Sequence, residues 1–146
     1  LLKGYPGKTL VCLTVIMPGK VKRNLQSLVV AQAAVTALVS AFGDSMLKFR
    51  LRDLPTGYEA YLVTQLSNEE AKKETCRIED THPLGRLFDL DVIDADGVPM
   101  SRESVGLSPR KCLVCDNEAR YCMRNRTHTM AELTAKIDEM IESYVR

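Results

Sequence analysis

Met46-Leu47-Lys48-Phe49-Arg50-Leu51-Arg52-Asp53-Leu54, then Pro55-Thr56-Gly57, then Tyr58-Glu59-Ala60-Tyr61-Leu62-Val63-Thr64, is the stretch on which the fold turns. Leu47, Phe49 and Leu51 alternate with Lys48, Arg50 and Arg52, the period-two pattern of a strand with one apolar and one solvated basic face. Pro55-Thr56-Gly57 turns the chain. The second segment reads as a strand returning beside the first.

Outward from this pair, a helix is expected on each side and a strand beyond each helix. On the N-terminal side, Leu25, Leu28, Val29, Val35, Leu38, Val39 and Phe42 recur at helical spacing, which predicts a helix over 24–42 with Gly43 at its C-terminal cap. Before it, Leu10 to Met17 is almost wholly apolar and ends at Pro18-Gly19. That run predicts a central strand buried on both faces. On the C-terminal side, Ser67-Asn68-Glu69-Glu70 is a capping box that opens a helix to about Glu79. Arg86 to Ile93 reads as a strand, and Asp94-Ala95-Asp96-Gly97 as a tight hairpin turn. A second capping box, Thr129-Met130-Ala131-Glu132, opens a last helix with Leu133, Ile137, Met140, Ile141 and Tyr144 on one face.

The order is β-α-β-β-α-β, a short hairpin return, and a helical tail. It predicts an α+β fold with a mixed or antiparallel sheet in ferredoxin-like, nucleotidyltransferase-like order. One catalytic domain is expected over 1–146, with a core of about 8–100 and a Cys/Arg-rich helical tail of about 101–146. Net charge is +1, so bulk electrostatics name no partner, and neither nucleic acid nor membrane is expected. No apolar run stands out as a bilayer span. Leu1 to Gly7 has no signal-peptide character, and the missing initiator Met reads as a trimmed N-terminus. Five cysteines, three of them within 112–122, suit reduced thiols in the cytoplasm better than a disulfide framework.

The strongest local anomaly is Asp89-Leu90-Asp91 within Gly85 to Val92. Aspartate is disfavoured in strands. Two at i and i+2 share a face, while Phe88, Leu90 and Val92 take the other. Carboxylates roughly 7 Å apart repel unless a cation lies between them. Mg²⁺ or Mn²⁺ would resolve the conflict and clamp a phosphate. Solvated acids on an exposed edge strand explain the same spacing about as well. An EF-hand reading of Asp94, Asp96 and Glu103 fails, because its first ligand position would be Val92. His82, before Pro83 at the entrance to this strand, reads as a base or a phosphate contact, although a loop-capping histidine is the commoner outcome.

Cys112, Cys115, Cys122 and His128 have the short spacings of a tetrahedral structural zinc site. Cysteines acting as small buried hydrophobes are the rival reading. Around them Arg102, Arg110, Lys111, Arg120, Arg124 and Arg126 make the tail basic on a near-neutral chain. Arginines suit bidentate phosphate contacts, and a solvated charged surface is the alternative.

Several segments in order resemble the holo-citrate lyase synthase family, the apo-citrate lyase phosphoribosyl-dephospho-CoA transferases. They are Leu13 to Lys22, Pro55 to Ala60, and Glu79-Asp80-Thr81-His82-Pro83-Leu84-Gly85-Arg86-Leu87-Phe88-Asp89-Leu90-Asp91-Val92. Asp96-Gly97, Ser101-Arg102, Arg110 to Cys115, Cys122, Arg124, Arg126, His128 and Glu132-Leu133 continue the match. The resemblance implies transfer of the 5′-phosphoribosyl-3′-dephospho-CoA group from its triphosphoribosyl donor to a serine of the citrate lyase acyl carrier (gamma) subunit, with release of pyrophosphate. It implies a two-aspartate metal site, which Asp89 and Asp91 with Mg²⁺ or Mn²⁺ would supply; beside it, His82 is read as a further catalytic residue and Arg86, Arg102, Arg110, Arg124 and Arg126 as donor-binding, from the basic residues flanking the acidic strand. A nucleotidyltransferase for another carrier, of malonate decarboxylase type, and a non-catalytic zinc-stabilised module are the competing classes.

Overall fold

The structure, a computed structural model, describes residues 7–16, 24–93 and 97–145. Its elements follow the expected order: β1 (Thr9–Val15), α1 (Leu25–Phe42), β2 (Met46–Leu54), β3 (Gly57–Thr64), α2 (Asn68–Thr81), β4 (Phe88–Ile93), α3 (Ala119–Asn125) and α4 (Met130–Val145). The sheet order is β2-β3-β1-β4. Every neighbouring pair is antiparallel. This is the split βαβ arrangement, in which each helical crossover passes over an intervening strand.

Both capping boxes form. Ser67 accepts the Glu70 N–H while Glu70 reaches back to the Ser67 N–H. Thr129 and Glu132 exchange the same two bonds. A third box, at Asn24 and Ser27, starts α1. Each satisfies backbone donors that a helix start leaves unpaired, worth about 1 kcal/mol apiece.

The helices cover one face of the sheet. Val11, Leu13, Ala60, Leu62, Phe88, Leu90 and Val92 meet Val30, Ala34, Leu38 and Phe42 of α1 and Ala71 and Ile78 of α2, and Ile137 and Ile141 of α4 join the same core. Fully burying one such large side chain contributes roughly 1.5–3 kcal/mol. The expectation that β1 is buried on both faces is corrected: Val11 and Leu13 are buried, whereas Cys12 is half-buried and Thr14 exposed. α1 and α2 pack on the same side of the sheet, so neither covers the other face.

Two boundaries move. β4 begins at Phe88 rather than Arg86, because Gly85–Leu87 forms a 3₁₀ turn with Leu87 N–H bonded to the Leu84 carbonyl. α2 runs on to Thr81. After β4 the chain returns as expected: Ile93 bridges Pro99, and Met100 N–H bonds the Val92 carbonyl. Gly97 has a left-handed φ of +79°, as the Asp-Gly turn requires. Residues 94–96 of that turn, and the Pro18-Gly19 stop after β1, lie outside the described residues. Leu25–Ser45 is long and apolar enough to cross a bilayer by composition, which the sequence reading did not count. Its apolar face is instead built into the core.

Candidate functional site

The Asp89 and Asp91 side chains share the face of β4 that points away from the core, each half-buried, between buried Phe88, Leu90 and Val92. β1 places Thr14 opposite Asp89 and Cys12 opposite Asp91. Thr14 Oγ1 donates to Asp89 Oδ2 at 3.4 Å. Burial, and then the negative charge of Asp89, raise the Asp91 carboxyl above its ordinary value; Lys72 and Arg110 oppose them. The Cys12 thiol is pushed up to about 11 by burial and by Asp91 and Glu59, so it stays protonated.

Beside this pair, β4 is an edge strand, and its free backbone N–H at Leu90 needs a partner. Glu79, in the last turn of α2, supplies it: Oε2 accepts the Leu90 N–H at 3.0 Å. The same carboxylate accepts Arg102 Nη2 at 2.7 Å and Arg110 Nη1 at 3.3 Å, with only 4% of its side chain exposed. Arg102 also pairs with Asp80 at 3.0 Å, and Arg110 Nη2 donates to the Gly85 carbonyl at 2.6 Å. Sequence reading missed this role for Glu79. The signal was there: Glu79 and Asp80 are acids at a helix C-terminus, where the macrodipole disfavours them unless cations answer.

Gly85 is fixed by the same junction. A Cβ there would lie 2.2 Å from the Glu79 carbonyl oxygen and 2.7 Å from its carbonyl carbon. Only glycine lets the loop pass this close to the end of α2.

Two clefts meet at the Glu79–Arg102–Arg110 cluster, which lines both. One, of about 310 Å³, holds Asp89 and Asp91 with Lys72 and Arg120. The other, of about 710 Å³, is lined by His82, Arg86, Lys111 and Lys136. The structure thus brings Arg102 and Arg110 to the aspartates and sets Arg86 and His82 in the adjoining cleft. His82 caps its loop, Nδ1 accepting the Leu84 N–H at 3.0 Å. Its ring packs on Phe88 and Tyr144, with centroids 4.9 and 5.6 Å away. Burial lowers its pKa and favours the neutral imidazole. Arg124 and Arg126 are exposed and line neither cleft. Lys72, buried on α2 beside Asp91, is a second residue that sequence reading did not single out. Its only trace was a lysine on the apolar face of a predicted helix.

Cys112, Cys115, Cys122 and His128 also come together. One ligating atom from each lies within 4.8 Å of all the others, an arrangement that could hold a metal ion. Cys115 Sγ is 3.5 Å from Cys122 Sγ and 3.4 Å from His128 Nε2. A bond from the Asn117 backbone, then His128, bring the Cys115 thiol down to about 7, while burial pushes Cys122 up to about 11.

A family model described as apo-citrate lyase phosphoribosyl-dephospho-CoA transferase matches residues 1–144. The chain belongs to this family. A Vibrio cholerae serotype O1 (strain M66-2) protein named "Probable apo-citrate lyase phosphoribosyl-dephospho-CoA transferase" is 44% identical over 139 residues, covering 92% of this chain and 78% of its own length. A Streptococcus pyogenes serotype M18 (strain MGAS8232) protein of the same name is 36% identical over 148 residues, covering 99% of this chain and 77% of its own. The resemblance carried by the Thr-His-Pro-Leu-Gly-Arg block is therefore family membership. In this family member the full matching segment, Glu79 to Val92, forms the end of α2, the 3₁₀ turn and most of β4, and contributes to both clefts.

Proposed function

We propose that the chain transfers a 5′-phosphoribosyl-3′-dephospho-CoA group from its triphosphoribosyl donor to a serine of the citrate lyase acyl carrier subunit. The serine oxygen bonds the α-phosphorus, the α–β phosphoanhydride bond breaks, pyrophosphate leaves, and the serine proton passes to solvent. The observation that carries this reading is the pair Asp89 and Asp91 on one strand face, directly beside an arginine cluster.

The aspartates fit a hard cation. They are oxygen donors of like charge on one face, and burial together with the Asp89 charge raises the cost of ionising Asp91. The described ion pairs engage Glu79 and Asp80 instead, so these two carboxylates are not committed to the arginines. Asp89 and Asp91 would hold Mg²⁺ or Mn²⁺, which when bound supplies charge neutralisation to the phosphates.

The protein's own groups do the rest. Glu79 fixes the guanidiniums of Arg102 and Arg110 at the junction of the clefts before substrate arrives, so little reorganisation accompanies reaction. Arg86, Lys111 and Lys136 give the larger cleft the positive charge that a donor of several phosphates needs. His82, held neutral, shapes the wall of that cleft and contacts the donor without adding charge. Arg124 and Arg126 stand outside, where they suit the approach of an acidic carrier. All five cysteines are free thiols, which suits the cytoplasm.

Donor binding measured by calorimetry on single Arg86→Ala, Arg102→Ala and Arg110→Ala variants tests the site. Each should weaken binding at least tenfold. Wild-type affinity in all three would overturn the assignment of the clefts. Modification of a malonate decarboxylase carrier and not the citrate lyase carrier would select the other acceptor.

A further inference from the structure

Between the two clefts and α4 runs a segment that the hydrophobic core holds only weakly, through partly buried Leu113. From Ser101 to Lys136, the only buried residues among those described are Cys112 and Cys122. A stretch that buries so little apolar surface needs a covalent or metal staple to keep one conformation. The segment is nevertheless specifically folded. Lys111 bridges Glu118, Cys112 N–H bonds the Asn117 carbonyl at 2.7 Å, and Ala119 N–H bonds the Arg110 carbonyl at 2.7 Å. This tight hairpin brings Cys112 and Cys115 together, the first turns of α3 add Cys122, and the turn before α4 adds His128.

From this geometry we infer that Cys112, Cys115, Cys122 and His128 bind a structural zinc ion that pins the donor-binding arginines in place. Tetrahedral zinc with bonds of about 2.3 Å to sulfur and 2.0 Å to nitrogen sets neighbouring ligand atoms roughly 3.5–3.8 Å apart. The Cys115–Cys122 sulfur separation of 3.5 Å falls in this span, the Cys115–His128 separation of 3.4 Å lies just below it, and all four ligand atoms are within 4.8 Å of one another. Three sulfurs and one imidazole fill all four positions, the closed set of a structural site. The outer contacts also fit. Val114 N–H points at Cys112 Sγ at 3.4 Å, and Glu132 Oε2 lies 3.8 Å from His128 Nδ1, near enough for its charge to favour the imidazole without a direct hydrogen bond. On binding, the three thiols give up their protons to solvent and His128 ligates through Nε2 as neutral imidazole.

The ion connects to the arginines by chain and by hydrogen bond. Arg110 precedes Cys112 by two residues, and the Arg86 guanidinium donates to the Cys112 carbonyl. Holding the hairpin therefore holds Arg86, Arg110 and Lys111 against their cleft. The zinc site stands apart from which carrier is modified; only the naming of the arginines as donor-binding rests on the proposed transfer.

Elemental analysis of the whole protein, purified without a metal-affinity step or added zinc, tests it. About one zinc per chain is expected. Cys115→Ser and His128→Asn should fall well below that, while Cys12→Ser and Cys76→Ser keep it. Should the ligand variants fail to fold, cobalt exchange into the wild type gives a second readout: the intense visible bands of a tetrahedral thiolate site. Thiol titration of the native wild type should find Cys112, Cys115 and Cys122 protected until a chelator is added. Folded protein with little zinc, no cobalt spectrum and thiols equally reactive with and without chelator would overturn the site, as would a Cys115–Cys122 disulfide in its place.

Discussion

The Glu79 carboxylate accepts the Leu90 backbone N–H at 3.0 Å, tying the last turn of α2 to the edge of β4 between the two aspartates. The same group holds Arg102 and Arg110. One buried side chain thus fixes the spacing between the acidic and basic halves of the site.

Glu79→Gln keeps an acceptor for Leu90 but removes the ion-pair partner of Arg110 and leaves Arg102 with the more exposed Asp80 alone. Breaking a buried pair in this way costs roughly 3–5 kcal/mol. Urea unfolding should show a midpoint well below wild type, and the KM for donor should rise. A variant as stable as wild type would mean that Glu79 is not the anchor.

Gly85→Ala puts a methyl group against the Glu79 backbone, where no flexible side chain can yield. The turn must shift, and the Arg110 bond to the Gly85 carbonyl must shift with it. A loss on the order of 1–3 kcal/mol is expected from such overpacking, read by thermal unfolding. Unchanged stability would contradict the close approach.

His82 should titrate below the ordinary histidine value of about 6.5, because burial disfavours its charged form. The unfolded chain then takes up the proton first as pH falls. Stability present above pH ~6.5 is therefore lost on acidification towards the lower folded value. NMR titration of the His82 ring checks the direction, and a midpoint above 6.5 would reverse it.

The fold was legible because the strands and helices around the β2–β3 hairpin carry clear periods and caps. The strand face of Asp89 and Asp91 followed from alternation alone. What the sequence hid was tertiary. β1 reads as apolar throughout, yet only the same-side crossovers decide which face is covered. Glu79 and Lys72 leave only faint traces in the sequence, and their roles emerge once α2 is laid against the β4 edge. The convergence of Cys112, Cys115, Cys122 and His128 was anticipated by spacing, but not the scarcity of core around them, which requires burial to be known.

Exposed arginines beside the site should steer an acidic carrier, and such attraction is screened beyond about 8 Å at physiological ionic strength. kcat/KM for carrier should fall as salt rises. Arg124→Glu or Arg126→Glu should lower it and flatten the salt dependence with kcat nearly unchanged. Salt-independent transfer would remove these residues from the docking surface.

The most direct measurement is the intact mass of the citrate lyase carrier after incubation with the protein, donor and Mg²⁺. The wild type should add one phosphoribosyl-dephospho-CoA unit to a serine and release one pyrophosphate per carrier. Asp89→Asn and Asp91→Asn should fold normally and lose transfer by about three orders of magnitude or more. An unmodified carrier with folded wild-type protein, or full transfer by either variant, would contradict the account.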